Sequence, residues 1–166
     1  ISFVHIKMNF LKVTKKNLKK LFKEKFSFRK GSFDELRSAY NIIKENRSLK
    51  SYKVSISFEK LEALVKKFNN KFKIWFVSNQ LNKPVASAIT IDMIENVRYV
   101  FYWGDKLRKD TNSPIVLMAH ELIKDNIKNK IPILDLGTSS LNGEINIGLK
   151  NFKNSLGALD TNKLTL

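Results

Sequence analysis

The stretch Leu134-Asp-Leu-Gly-Thr-Ser-Ser140, followed by Asn146-Ile-Gly-Leu-Lys-Asn-Phe-Lys153 and Leu156-Gly-Ala158, constrains this chain more than any other. It reads as a buried strand over 133–136 that runs into a turn of small residues. A short basic helix follows, opened near Asn146 and closed by Gly157. A strand of this kind belongs in a sheet with helices packed on it. Ligands of such folds gather at the carboxyl ends of the strands, where the chain changes direction. A turn of small residues there, with a lysine close by, suits a ligand rich in oxygens.

The rest of the chain supplies the partners. Thr14 is placed to cap a helix to about Lys25, with Leu18, Leu21, Phe22 and Phe26 on one face and Lys15, Lys16, Lys19, Lys20 and Lys23 on the other. An extended piece over 27–29 ends at Gly31. Ser32 and Glu35 form a capping box for a helix whose apolar face is Phe33, Leu36, Tyr40 and Ile43. Ser57 caps a third helix, with Leu61, Leu64, Val65 and Phe68 expected to be buried. The period then changes. Strands are predicted over 72–78, 85–93 and 97–103, antiparallel neighbours because short turns join them. Ser113-Pro114 opens a helix to about Lys130, Pro being at home in a first helical turn. Strand 133–136 then lies parallel beside 97–103, with that helix as the crossover. Residues 3–9 and 163–166 are weaker strand candidates. The fold class is α/β (α+β), a mixed, mainly antiparallel sheet flanked by helices.

Several function classes fall away on composition. The 166 residues form one domain over 1–166, with a lysine-rich part over 1–30. Without cysteine there is no disulfide, thiol nucleophile or thiolate metal site. Two histidines, His5 and His120, make a histidine-rich metal centre an unsuitable reading, and no metal is expected. No apolar run reaches the roughly 20 residues of a membrane span. No cleavage site follows an apolar core, so no secretory leader is read, and a cytoplasmic location is expected. The first residue is Ile, which leaves open that the sequence is a piece of a longer chain.

The net charge is +16, and it is uneven. Residues 1–50 carry 14 Lys/Arg against 4 Asp/Glu, while residues 51–166 carry 17 against 11. The asymmetry points to a polyanionic partner: nucleic acid, an anionic surface or a phosphate-bearing substrate. Compositional bias towards Lys, Asn, Ile and Phe accounts for it equally well.

The order of elements and four motifs resemble the GNAT (N-acyltransferase) fold, in particular its FemAB-like branch, whose members join amino acids to peptidoglycan precursors or acylate other amines. The motifs are Tyr99-Val-Phe-Tyr-Trp-Gly104, Asn112-Ser-Pro114, Leu134-Asp-Leu-Gly137, and Gly148-Leu-Lys-Asn-Phe-Lys153 with Leu156-Gly157. The resemblance implies an acyl donor, acyl-CoA or aminoacyl-tRNA, and an amine acceptor, with a cell-envelope precursor as one candidate. The glycine-rich pyrophosphate loop of coenzyme A users is absent, because 104–109 holds a single glycine. That absence and the basic helix favour a tRNA donor.

By the same resemblance, strands 97–103 and 133–136 splay apart and the donor's arm enters between them. Freed backbone N–H groups then stabilise the oxyanion of direct amine attack. Trp103, Gly104, Asn112, Ser113, Gly137, Ser139 and Ser140 are the donor-binding candidates. Lys153, of the Phe-Lys pair, is the candidate for substrate phosphate or developing charge, alongside a reading as one more solvated lysine. Tyr102, Asp135 and Glu144 are candidates for the base. Asp135 is read first as a carboxylate tying the Gly137–Ser140 turn. Tyr102 and Trp103 also read as core, Ser113 as an ordinary cap and His120 as packed. Lys16, Lys19, Lys20 and Lys23 form the polyanion face. Two rivals remain: a nucleic-acid- or anionic-surface-binding module without chemistry, and a degenerate transferase domain.

Overall fold

The computed structural model describes residues 2–5, 12–93, 96–106, 113–141 and 144–160. Its first half sets a strand and helices around the coming sheet: β1 (Ser2–His5), α1 (Lys12–Lys23), β2 (Ser27–Gly31), a 3-10 turn (Phe33–Glu35), α2 (Leu36–Leu49) and α3 (Phe58–Lys67). The meander follows as β3 (Phe72–Ser78), β4 (Pro84–Asp92) and β5 (Val97–Asp105). The chain then runs through α4 (Ile115–Lys128), β6 (Ile133–Asp135), a small hairpin of β7 (Ser140–Leu141) and β8 (Glu144–Ile145), α5 (Ile147–Ser155) and β9 (Leu159–Asp160).

Seven strands make one sheet in the order β2-β3-β4-β5-β6-β1-β9. Only β5 and β6 pair in parallel; every other neighbour is antiparallel. Helices α1 and α4 lie on one face, over a core that includes Leu18, Trp75, Met118, Leu122, Leu134 and Leu156. Helices α2 and α3 lie on the other, over Leu36, Ile43, Leu61, Phe76 and Ile89. Alternation along β5 sends Tyr102 to the second core and Trp103 to the edge of the first.

Local chemistry explains the element ends. Ser57 Oγ accepts from Lys60 N, and Asn146 Oδ1 accepts from Leu149 N at 2.9 Å, each satisfying a free donor of a first turn. Gly157 closes α5 at φ 82°, the left-handed geometry that glycine adopts without strain. Ser32 and Glu35 form their capping box, but around the 3-10 turn that precedes α2.

Some expectations are corrected. Helix α1 starts at Lys12, so Thr14 is a buried residue inside it rather than its cap. Pro114, not Ser113, occupies the cap position of α4. Phe22, Phe33, Leu64 and Phe68, expected on buried faces, are 38–48% exposed. The stripe each helix buries is narrower than its run of apolar residues. The strand expected over 163–166 lies outside the described residues, and β9 takes the sheet edge at 159–160. No helix among the described residues is long and apolar enough to cross a membrane.

Candidate active site

The parallel ladder between β5 and β6 is short. It pairs Val97 with Ile133, Arg98 with Leu134 and Tyr99 with Asp135, and goes no further. On the β4 side, Thr90 faces Val100 and Ile89 faces Tyr102, which leaves Phe101 as the extra residue of a bulge. A bulge bends its strand. Here the bend follows the last β5–β6 pair: β6 ends at Asp135, while β5 runs on to Asp105. A cleft of about 610 Å³ opens at that point. Its walls come from Tyr99 to Asp105, from the Leu136–Ser140 turn, from the starts of α4 and α5, and from the end of α2.

Lys153 reaches this cleft from α5. It is 1% exposed, and its Nζ donates to Gly137 O at 2.8 Å and Thr138 O at 2.7 Å. Burial pushes its ammonium down to about 8; Asp135 opposes that shift and Arg47 adds to it. The turn is itself pinned, because Asp135 Oδ1 accepts from Gly137 N at 2.7 Å. That is the structural role read for Asp135. Gly137 stands at φ 74°, so the turn depends on glycine there. Desolvation and the neighbouring Asp135 raise the Tyr99 phenol above its usual range.

The opposite wall centres on Gly104. A Cβ on Gly104 would meet Asn46 Cβ at 3.0 Å and Ile43 Cα at 3.2 Å, so α2 rests directly on the strand backbone. This approach brings Asn46 Nδ2 to Asp105 O at 2.7 Å and to Asp105 Oδ1 at 2.8 Å. Ser113 Oγ donates to Asp105 Oδ2 and accepts from Ile115 N at 3.3 Å. Asn46 and Asp105 are both buried.

Of the residues singled out in the sequence, Tyr102, Trp103, Gly104, Ser113, Gly137, Ser140 and Lys153 all line the cleft. Tyr102 is buried and its hydroxyl shares a short hydrogen bond with Ser55 Oγ. Trp103 packs edge-on against Phe152. Ser139 holds α5 in place, its carbonyl accepting from Asn146 N at 2.8 Å. Glu144 is exposed in β8. Asn112 lies outside the described residues. His120 pairs with Glu121 at 2.8 Å and meets Phe22 edge-on, away from the cleft lining. Lys16, Lys19, Lys20 and Lys23 are exposed on α1. Arg47, Lys50 and Tyr52 also line the cleft, although no sequence motif points to them, nor to Asn46 and Asp105. Their place depends on the α2–β5 approach, and Gly104 in a strand end was its one trace.

No protein-family model matches the chain, and no curated protein matches it by sequence. Solved structures do. FemX superposes with a TM-score of 0.75 at 9% identity, over 95% of this chain and 58% of FemX. L-PGS from Bacillus licheniformis gives 0.66 at 13% identity, over 95% of this chain and 56% of L-PGS. The chain therefore spans a little over half the length of each. A predicted acetyltransferase from Clostridium acetobutylicum, solved with acetyl-CoA, gives 0.62 at 16% identity, over 85% of this chain and 94% of its own.

The fold is that of the GNAT acyltransferases.

FemX and L-PGS share this architecture over 95% of the chain. Among the described residues no cluster of three or more His, Asp or Glu is arranged to hold a metal ion.

Proposed function

We propose that this chain is an N-acyltransferase that moves an acyl or aminoacyl group from acyl-CoA or aminoacyl-tRNA to an amine, with a cell-envelope precursor as the acceptor class. The observation that carries this reading is the end of the β5–β6 ladder at Tyr99 and Asp135, with buried Lys153 in the cleft beyond. The edge of β5 past Tyr99 has no ladder partner in β6. Backbone N–H groups there are placed to stabilise an oxyanion on the donor's carbonyl. The acceptor nitrogen attacks that carbon. A C–N bond forms, the thioester C–S bond or the aminoacyl ester C–O bond breaks, and the proton lost by the nitrogen ends on the departing sulfur or ribose oxygen. No protein nucleophile takes part, in keeping with a chain that has no cysteine.

Lys153 serves the charge that develops. Two of its three donor positions are committed to Gly137 O and Thr138 O, and in this reading the third serves the substrate. As an ammonium it stabilises the leaving group or a phosphate of the substrate. Trp103, Gly104, Ser113, Gly137 and Ser140 form the donor side, and Asn112 completes it in this reading. Tyr102 is engaged with Ser55 and Asp135 with Gly137, so both position the site rather than take the proton. A cytoplasmic setting, where both donors occur, goes with the proposal.

The direct test is a thermal-shift screen with acetyl-CoA, longer acyl-CoA species and aminoacyl-tRNA, followed by transfer from the stabilising donor to a panel of amines. Stabilisation by one donor and label transfer to an amine, with transfer lowered in Lys153→Ala, is the expected result. No stabilisation by any donor would overturn the reading.

A further inference from the structure

A second groove, of about 360 Å³, lies on the far side of α2 from the cleft, between the end of β2, the 3-10 turn, the end of α3 and the start of β3. Its floor is apolar and fixed: Val65, Phe72 and Ile74 are buried. A Cβ on Gly31 would come within 2.7 Å of the Phe76 ring, so the β2 backbone itself seats on the core there. Its rim is cationic. Lys30, Lys66 and Lys73 line it, and no carboxylate does. Lys73 Nζ donates to Asn70 O at 2.8 Å, and Lys66 stands 3.4 Å from Glu62 one turn back on α3.

Phe33 makes this groove more than a patch of lysines. It lines the groove and is 38% exposed. Its turn is held rigidly: Ser32 N donates to Glu35 Oε2 at 3.0 Å, and Arg29 pairs with the same carboxylate at 2.6 Å. The Lys66 ammonium stands over the ring at 5.9 Å from its centroid, the outer limit of a cation–π contact. An exposed aromatic ring flanked by lysines, with no carboxylate in the groove lining, is what a single-stranded nucleic acid requires: a stacking platform for a base and point charges for phosphates. A membrane surface would call for a protruding apolar face, whereas this aromatic sits in a concavity.

We propose that this groove binds single-stranded RNA, with a base stacked on Phe33 and the adjoining phosphates held by Lys30, Lys66 and Lys73. The site stands apart from the β5–β6 cleft and does not depend on acyl transfer.

The test is fluorescence anisotropy with a labelled dodecamer of uridylate, with heparin as a polyanion that has no bases. The wild-type chain should bind the dodecamer with an affinity that falls as salt rises. Phe33→Ala should weaken dodecamer binding by about 5- to 150-fold, leave heparin retention unchanged and keep the same melting temperature, while Phe33→Trp should retain or tighten it. Lys30→Glu with Lys73→Glu should weaken both ligands. A chain that does not bind the dodecamer, a Phe33→Ala variant that binds it as the wild type does, or one that loses heparin and dodecamer equally would overturn the proposal. So would displacement of the dodecamer by phosphatidylglycerol vesicles but not by uridine monophosphate, which would assign the groove to a lipid surface.

Discussion

Lys153 donates to the carbonyl oxygen of Gly137 at 2.8 Å, tying α5 to the turn that ends β6. The bond joins the two halves of the motif that stands out in the sequence, and it fixes the one buried lysine of the cleft. In the proposed reaction Lys153 also makes a charged hydrogen bond to the substrate, whose loss costs roughly 1.5–3 kcal/mol, or on the order of ten- to a hundredfold in rate or affinity. Lys153→Ala should therefore lower transfer by that factor. A change confined to KM would assign Lys153 to binding, and a change in kcat to the transition state. Lys150→Ala is the control. Lys150 is partly exposed and pairs with Asp160 at 2.9 Å, and its loss should leave transfer unchanged.

The same lysine predicts a pH dependence of stability. Its folded-state value is lowered to about 8 from 10.5, chiefly by burial. Below pH 8 it is protonated in both states, and the buried charge costs stability. Between about 8 and 10.5 the unfolded chain still holds the proton that the folded chain has released. The unfolded state then binds more protons, so stability rises with pH across that window, by an amount on the order of 3 kcal/mol. Urea midpoints at pH 7.5 and pH 10 should show this rise for the wild-type chain. Lys153→Met should lack it, with the other lysines contributing equally to both proteins.

On α1, Lys15, Lys16, Lys19, Lys20 and Lys23 are exposed while Leu18 and Leu21 are buried. Leu18 and Leu21 are used in the core, so apart from the half-exposed Phe22 the outer side of the helix is mainly cationic. Reversal of Lys16, Lys19, Lys20 and Lys23 to Glu should sharply reduce heparin retention and flatten its salt dependence. Melting temperature should change little, since among the described residues these four lysines form one ion pair, Lys20 with Glu24 at 4.0 Å. Unchanged retention would leave composition as the sole reason for the lysine content.

What the sequence reveals here is what short-range physics decides. Ser57, Asn146 and Gly157 mark helix ends because capping is a matter of three or four residues. The strands around 72–78, 85–93 and 97–103 are legible because short turns leave the chain no choice but antiparallel pairing. Strand 133–136 joins 97–103 in parallel because a helix intervenes. Phe22 and Phe33 show where this reading fails. Periodicity marks which residues share a helix face, but not how much of that face a neighbour covers. Asn46, Arg47 and Asp105 were illegible for a different reason. They meet only because α2 crosses β5 at Gly104, a tertiary contact between residues almost 60 positions apart.

That crossing yields the last prediction. Gly104→Ala would push a methyl group against Asn46 Cβ and the Ile43 backbone, at 3.0 and 3.2 Å. The Ile43 backbone is part of α2 and cannot rotate aside, so the helix must move outward. Overpacking of this kind costs typically 1–3 kcal/mol, which a thermal melt would show as a lowered midpoint. The shift would also draw Asn46 Nδ2 away from the Asp105 carboxylate, leaving a buried anion with Ser113 as its remaining side-chain partner. Asn46→Ala removes the same two hydrogen bonds without adding bulk. If the Asn46–Asp105 link is what shapes this wall of the cleft, both variants should lose donor-induced thermal stabilisation together. A Gly104→Ala variant that melts lower but keeps its full donor response, with Asn46→Ala doing the same, would show that the crossing serves the core and not the cleft.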